Sequence, residues 1–168
     1  ILQKYAKKDR RIKLLKNLFN QGVSLTAKRA ISQATGDYLA RMDADDISTF
    51  DRLEKQLAYL QTQKQTVAVG TQCILIDKNC KEIGTKTFPT EFEDIYKYSF
   101  RFVPVQQPSI MIAKCRLPKK FEYYVDGLPD YGAVQAGDIE EETFGVLTVV
   151  EQDDVVVSDV DVITVGVV

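Results

Sequence analysis

The chain is 168 residues long, with 45% hydrophobic residues, no His and no Trp, which is the composition of one ordinary globular domain able to bury a core. Without His, zinc held by His and any Ser-His or Cys-His dyad are excluded, so proton transfer must use a carboxylate, Tyr, Lys or Cys. The net charge of −2 hides a division: all 22 Lys and Arg lie in residues 1–120 beside 12 acids, whereas residues 121–168 hold the other 12 acids and no base.

In chain order, residues 1–8 read as the end of a helix, with Leu2, Tyr5 and Ala6 at helical spacing and Lys4, Lys7 and Lys8 outside it. Ile12, Leu14 and Leu15 predict a short strand, and Asn20-Gln21-Gly22 a loop. Ser24 is the expected N-cap of a helix that reaches about Ala34 and is closed by Thr35-Gly36-Asp37. Residues 38–42 predict a strand that runs straight into Asp43-Ala44-Asp45-Asp46. Thr49 or Ser48 is placed to cap a helix over residues 50–64, where Leu53, Leu57 and Leu60 recur at i, i+4 and i+7; its opposite, charged face is expected in solvent. Residues 67–76 and 81–88, joined by Asp77-Lys78-Asn79, predict a hairpin. A helix over residues 91–100 carries acids in its first turn, which suits the helix dipole, and residues 109–113 form another strand candidate.

Beyond Gly127 the pattern becomes valine-rich, with strand candidates at residues 146–150, 155–157 and 160–167 separated by acids. Thirteen valines lie in residues 121–168 and five before them, so Phe121 onward reads as compositionally foreign to the rest. The longest late apolar run, residues 162–168, falls far short of the about 20 residues a membrane helix needs, and no signal peptide is apparent. Cys73, Cys80 and Cys115 are odd in number and lack metal-ligand spacing, which indicates packing residues in a reduced, cytosolic setting. Helix and strand alternate through residue 76, as in a layered α/β sheet.

The chemistry concentrates at Asp43-Ala44-Asp45-Asp46, three carboxylates within four residues, with Arg41 nearby. Like charges at this spacing repel unless a cation, donors or solvent compensate them. Open α/β sheets place ligands at the carboxyl ends of their strands, and hard oxygen donors suit Mg²⁺ or Mn²⁺ bound together with substrate phosphates. A solvated acidic turn that caps the next helix is the other reading of the same four residues.

Asn20-Gln21-Gly22, the following helix, Ala34-Thr35-Gly36-Asp37-Tyr38-Leu39-Ala40-Arg41-Met42-Asp43-Ala44-Asp45-Asp46 and Arg52-Leu53-Glu54-Lys55-Gln56 occur in an order and spacing that strongly resemble the family 2 glycosyltransferases of the GT-A fold. Tyr5-Ala6-Lys7-Lys8-Asp9-Arg10-Arg11-Ile12-Lys13 and Pro108-Ser109-Ile110-Met111-Ile112 extend the resemblance, which covers residues 1–127. It implies a partial GT-A (nucleotide-diphospho-sugar transferase) fold, a three-layer α/β/α sandwich lacking its first strands, with a β-rich C-terminal tail. Residues 1–127 are expected to form the partial transferase domain and residues 128–168 an acidic, valine-rich tail.

The activity implied is transfer of a sugar from a nucleotide-diphosphate sugar, UDP-sugar first, to a hydroxyl of a glycan or lipid-linked acceptor, with inversion and a divalent metal, in surface polysaccharide synthesis. Asp43 and Asp45 match the two acids of the family's DxD motif, so Asp43 is expected to face the nucleotide ribose or the metal and Asp45 to bind Mn²⁺ or Mg²⁺. Asp46 is expected to orient the following loop. Lys28 stands where the family has an Asn and is the expected phosphate contact; Asp130, after Pro129, is the expected base for the acceptor proton. The missing first strands would take most of the nucleotide pocket with them, leaving a non-enzymatic alternative: a metal-binding or oligomerising remnant whose tail supplies strands to the sheet. Lys4, Lys7, Lys8, Arg10, Arg11, Lys13 and Lys16 cluster without a stacking or recognition-helix pattern, so nucleic acid is not an expected partner, whereas a homo-oligomer and a cytoplasmic site at the inner face of the membrane are.

Overall fold

A computed structural model of the chain describes residues 1–117, 146–150 and 160–165. In order these form α1 (Leu2–Ala6), α2 (Gly22–Ser32), β1 (Tyr38–Asp43), α3 (Arg52–Thr62), β2 (Thr66–Thr71), β3 (Cys73–Ile76), β4 (Glu82–Lys86), α4 (Phe92–Ser99), a 3-10 turn (Gln107–Ser109), β5 (Met111–Ala113), a second 3-10 turn (Lys114–Arg116), β6 (Val146–Val150) and β7 (Val160–Val165). The mixed α/β architecture is that expected of a partial GT-A fold. The strand candidate at residues 155–157 and the aromatic residues that follow Lys120 lie outside the described residues.

One sheet has the order β6-β2-β5-β1-β7, and β3 and β4 form a separate hairpin. β5 runs antiparallel to both β1 and β2, while β7 is parallel to β1 and β6 parallel to β2. Two strands of the acidic tail therefore occupy the two sides of the β2-β5-β1 core. Residues 12–17 have no regular structure, unlike the strand expected there. The segment pairs with no described strand, and both sides of β1 are taken, by β5 and β7.

Helix α3 is built from strong helix formers, and the Lys55 ammonium pairs with the Asp51 carboxylate one turn earlier. Its Leu57 and Leu60 pack with Ala40 of β1, Val69 of β2 and Met111 of β5 to form the core, and Leu53, Tyr38 and Tyr59 surround it. Arg116 closes the far end of α3: its guanidinium donates to the carbonyls of Leu60, Gln63 and Thr66, a cation placed on the orphan acceptors of a helix C-terminus.

Helix α2 begins at Gly22 rather than at Ser24, because the Asn20 side chain accepts the Gly22 N–H at 2.8 Å and Gly22 adopts φ +76°, open only to glycine at low cost. Cys73 is half-buried, but Cys80 and Cys115 are exposed and free, so packing accounts only for the first. No described helix is long and apolar enough to cross a membrane.

Gly70 marks the tightest approach in the sheet. A Cβ there would collide with the Val105 side chain, while Ser109 Oγ would stand at ordinary contact distance, 3.5 Å. Gly70→Ala is expected to destabilise the protein by about 1–3 kcal/mol, read as a lowered urea midpoint at unchanged slope.

Candidate functional site

The register of the sheet decides what stands at the end of β1. Its pairing with β5 covers Tyr38, Leu39 and Ala40, after which Arg41, Met42 and Asp43 continue past β5 and pair with β7. The chain then turns at Ala44 and Asp45, and the Asp46 N–H donates to the Asp43 carbonyl at 3.3 Å. Asp43 is half-buried, and Asp45 and Asp46 are exposed. The three carboxylates thus lie at the carboxyl end of a central strand, the position from which open α/β sheets bind ligands.

Around this end the structure is strongly polar. Arg41 Nε stands 3.4 Å from Asp43 Oδ1, and Arg41 Nη1 donates to Gln107 Oε1 at 3.0 Å. Beneath, Arg52 Nη1 donates to the carbonyls of Arg41, at 3.0 Å, and Pro108, at 2.8 Å. Gln56, one turn further along α3, uses Nε2 to reach the carbonyls of Val69 and Ser109 at 3.1 and 2.7 Å. Ser109 Oγ accepts the Thr71 N–H and donates to the Gln106 carbonyl, so the network joins β1, β2, α3 and the turn before β5.

Electrostatics in the acidic loop are unbalanced. The Asp46 carboxyl is held above its ordinary value by loss of hydration and then by the charges of Asp43 and Asp45, against the pull of Arg52. Like charges this close raise the cost of ionising the third carboxyl unless a cation or donors compensate them. Among the described residues no three Asp, Glu or Cys side chains converge on one point. The donor set fits an ion that takes few protein oxygens and keeps water and phosphate ligands, the habit of Mg²⁺.

The sequence-derived residues are placed unevenly. Asp43 and Asp45 share the end of β1, whereas Lys28 is exposed on α2 and forms no ion pair with them. Asp130 lies outside the described residues. The residues that sequence reasoning missed are Arg52, Gln56, Gln107 and Ser109. Arg52, Lys55 and Gln56 are only 7%, 8% and 1% exposed, which corrects the expectation of a solvated charged face on α3. The signal was their spacing: Arg52, Gln56 and Leu60 recur every four residues, on the same side of the helix as Leu53 and Leu57.

Two measurements follow. Gln56→Leu leaves the Val69 and Ser109 carbonyls without a donor and is expected to cost about 1–3 kcal/mol in urea unfolding. Because the folded state raises the Asp46 pKa, protonated Asp46 favours the fold fully below the ordinary value of 3.8, and that contribution is lost as pH rises through the folded pKa. Asp46→Asn in metal-free buffer should therefore raise Tm at pH 7 relative to the parent chain, and the difference should vanish as pH falls below the carboxylate range.

Comparison with known proteins agrees with this geometry. The family model described as "Glycosyl transferase family 2" matches residues 1–120. An uncharacterized glycosyltransferase of Methanocaldococcus jannaschii is 34% identical over 126 residues, covering 73% of this chain and 42% of that protein. The putative glycosyltransferase EpsE of Bacillus subtilis is 43% identical over 68 residues, 40% of this chain and 24% of its own. The amylovoran biosynthesis glycosyltransferase AmsE of Erwinia amylovora is 29% identical over 95 residues, 56% of this chain and 35% of its own. The chain thus spans well under half the length of each of these relatives, and no solved structure matches it. A polar platform that carries carboxylates at the end of β1, together with a family match over residues 1–120, makes this chain a member of glycosyl transferase family 2.

Proposed function

We propose that the site at the end of β1 holds the diphosphate of a nucleotide-sugar donor, UDP-sugar first, for transfer of the sugar to a hydroxyl of a glycan or lipid-linked acceptor in polysaccharide synthesis. The observation that carries this reading is the juxtaposition of Asp43 and Asp45 at a strand's carboxyl end with unbalanced negative charge beside them. The family membership and the relative named for amylovoran biosynthesis support it.

In the inverting form of the reaction, the acceptor oxygen forms a bond to the anomeric carbon as the bond from that carbon to the diphosphate breaks. The nucleoside diphosphate leaves with the electron pair, and the acceptor proton goes to a carboxylate, for which Asp130 is our proposal. Asp43 and Asp45 would hold Mn²⁺ or Mg²⁺, with Asp43 also available to the ribose, and Lys28 would meet a phosphate. The metal would supply neutralisation of the charge that builds on the departing diphosphate. Arg41, tied to Asp43 and Gln107, keeps the Asp43 carboxylate at the strand end. We further propose that the complete protein works on the cytoplasmic side, at the inner face of the membrane.

Isothermal titration with UDP, with and without Mn²⁺, tests the site in this chain. Metal-dependent heat of UDP binding is expected, and Asp45→Ala should abolish it. Equal titrations with and without Mn²⁺, or an unaffected Asp45→Ala, would leave the non-enzymatic reading of the chain in its place.

A further inference from the structure

Arg52 is 7% exposed at the first position of α3, where its charge is largely stripped of water. A buried guanidinium is costly, and an apolar side chain of similar volume commonly serves stability as well or better. Arg52 is not fully satisfied even so: its Nε is buried without an acceptor, an uncompensated donor that adds to the cost. Packing therefore does not explain an arginine here.

Its placement does. The carbonyl it bonds on β1 belongs to Arg41, two residues before Asp43, and the other belongs to Pro108, in the turn that leads into β5. Both bonds come from the one Nη1 nitrogen, which thus ties the end of β1 to a segment from a distant part of the chain. The carboxylate whose charge acts on Arg52 is Asp46, the third acid of the loop. A Lys ammonium ends one atom short of Nη1 and holds its water more tightly, so it could keep the charge without the same hold on both carbonyls.

We propose that Arg52 is a positioning residue of the donor site: by bonding the Arg41 and Pro108 carbonyls beneath the acidic loop, it fixes the end of β1 so that Asp43 and Asp45 present their carboxylates together. This rests on the donor-site reading above. Arg52 touches neither donor nor acceptor in this role. It acts through the main chain that carries the two acids.

The test compares Mn²⁺-dependent UDP affinity and thermal stability in the parent chain, Arg52→Met, Arg52→Lys and Arg116→Met. Arg116→Met is the structural control, because Arg116 also holds main-chain carbonyls with its guanidinium but at the opposite end of α3, those of Leu60, Gln63 and Thr66. Arg52→Met is expected to weaken Mn²⁺–UDP binding by about tenfold or more, the size of loss typical when support behind a metal site is removed. Arg52→Lys should recover part of that loss, and Arg116→Met should lower Tm while leaving affinity near that of the parent. Equal losses of affinity in Arg52→Met and Arg116→Met would overturn the proposal, as would parental affinity in Arg52→Met. Should Arg52→Met not fold, parental affinity in folded Arg52→Lys overturns it and a reduced affinity at parental Tm supports it. A parent chain that shows no Mn²⁺-dependent UDP binding defeats the donor-site reading and this proposal with it, whereas a binding parent with indifferent Arg52 variants defeats this proposal alone.

Discussion

The buried polar face of α3 is the constraint on which the site depends. A helix laid on a sheet ordinarily buries apolar side chains alone, yet Arg52 and Gln56 sit under the sheet's strand ends among Leu57, Leu60 and Met111. Between them they bond four main-chain carbonyls, of Arg41, Pro108, Val69 and Ser109. Arg41 and Val69 stand in the pairings of β1 with β7 and of β2 with β5 and β6, whereas Pro108 and Ser109 lie in the turn before β5, and the helix supplies a donor to each of these carbonyls. Among the described residues, Arg52 Nε and Gln56 Oε1 are buried without a hydrogen-bond partner.

That platform gives the acidic loop its character. A carboxylate cluster on a flexible turn relieves its own repulsion by spreading into water. Here Asp43 is drawn to Arg41, Arg41 is held by Gln107, and the strand beneath is tied to α3. Loss of hydration and the like charges of Asp43 and Asp45 push the Asp46 carboxyl up, against the attraction of Arg52. Neutralisation by a divalent ion would convert the same repulsion into binding, which is how a short acidic segment without a converged three-carboxylate cage can still serve a phosphate-bound metal.

Much of this was legible in the sequence because it follows from periodicity or turn chemistry. The short, mostly apolar run at residues 38–42 gives β1, the Leu53-Leu57-Leu60 stripe gives α3, and Asp77-Lys78-Asn79 gives the hairpin of β3 and β4. Asp43 and Asp45 stood out through their own chemistry and through the family pattern around them. The rest depended on tertiary context. Ile12, Leu14 and Leu15 have the composition of a strand, but composition does not supply a pairing partner, and β5 and β7 flank β1 in the described sheet. Arg52 and Gln56 look solvent-facing when only apolar residues are counted, because nothing local reveals that the chain's own carbonyls, more than 50 residues away at Pro108 and Ser109, will come to meet them.

A site built on β1 makes a spatial claim that can be observed atom by atom. Mn²⁺ is paramagnetic, so titrating it into the ¹⁵N-labelled chain in the presence of UDP broadens amide signals according to their distance from the bound ion. Broadening centred on residues 42–47, weaker through Arg52 and falling off along α3 toward Arg116 at its far end, is expected when Asp43 and Asp45 hold the ion. Broadening centred elsewhere, or spread evenly over the acidic residues of the chain, would contradict a donor site at the end of β1.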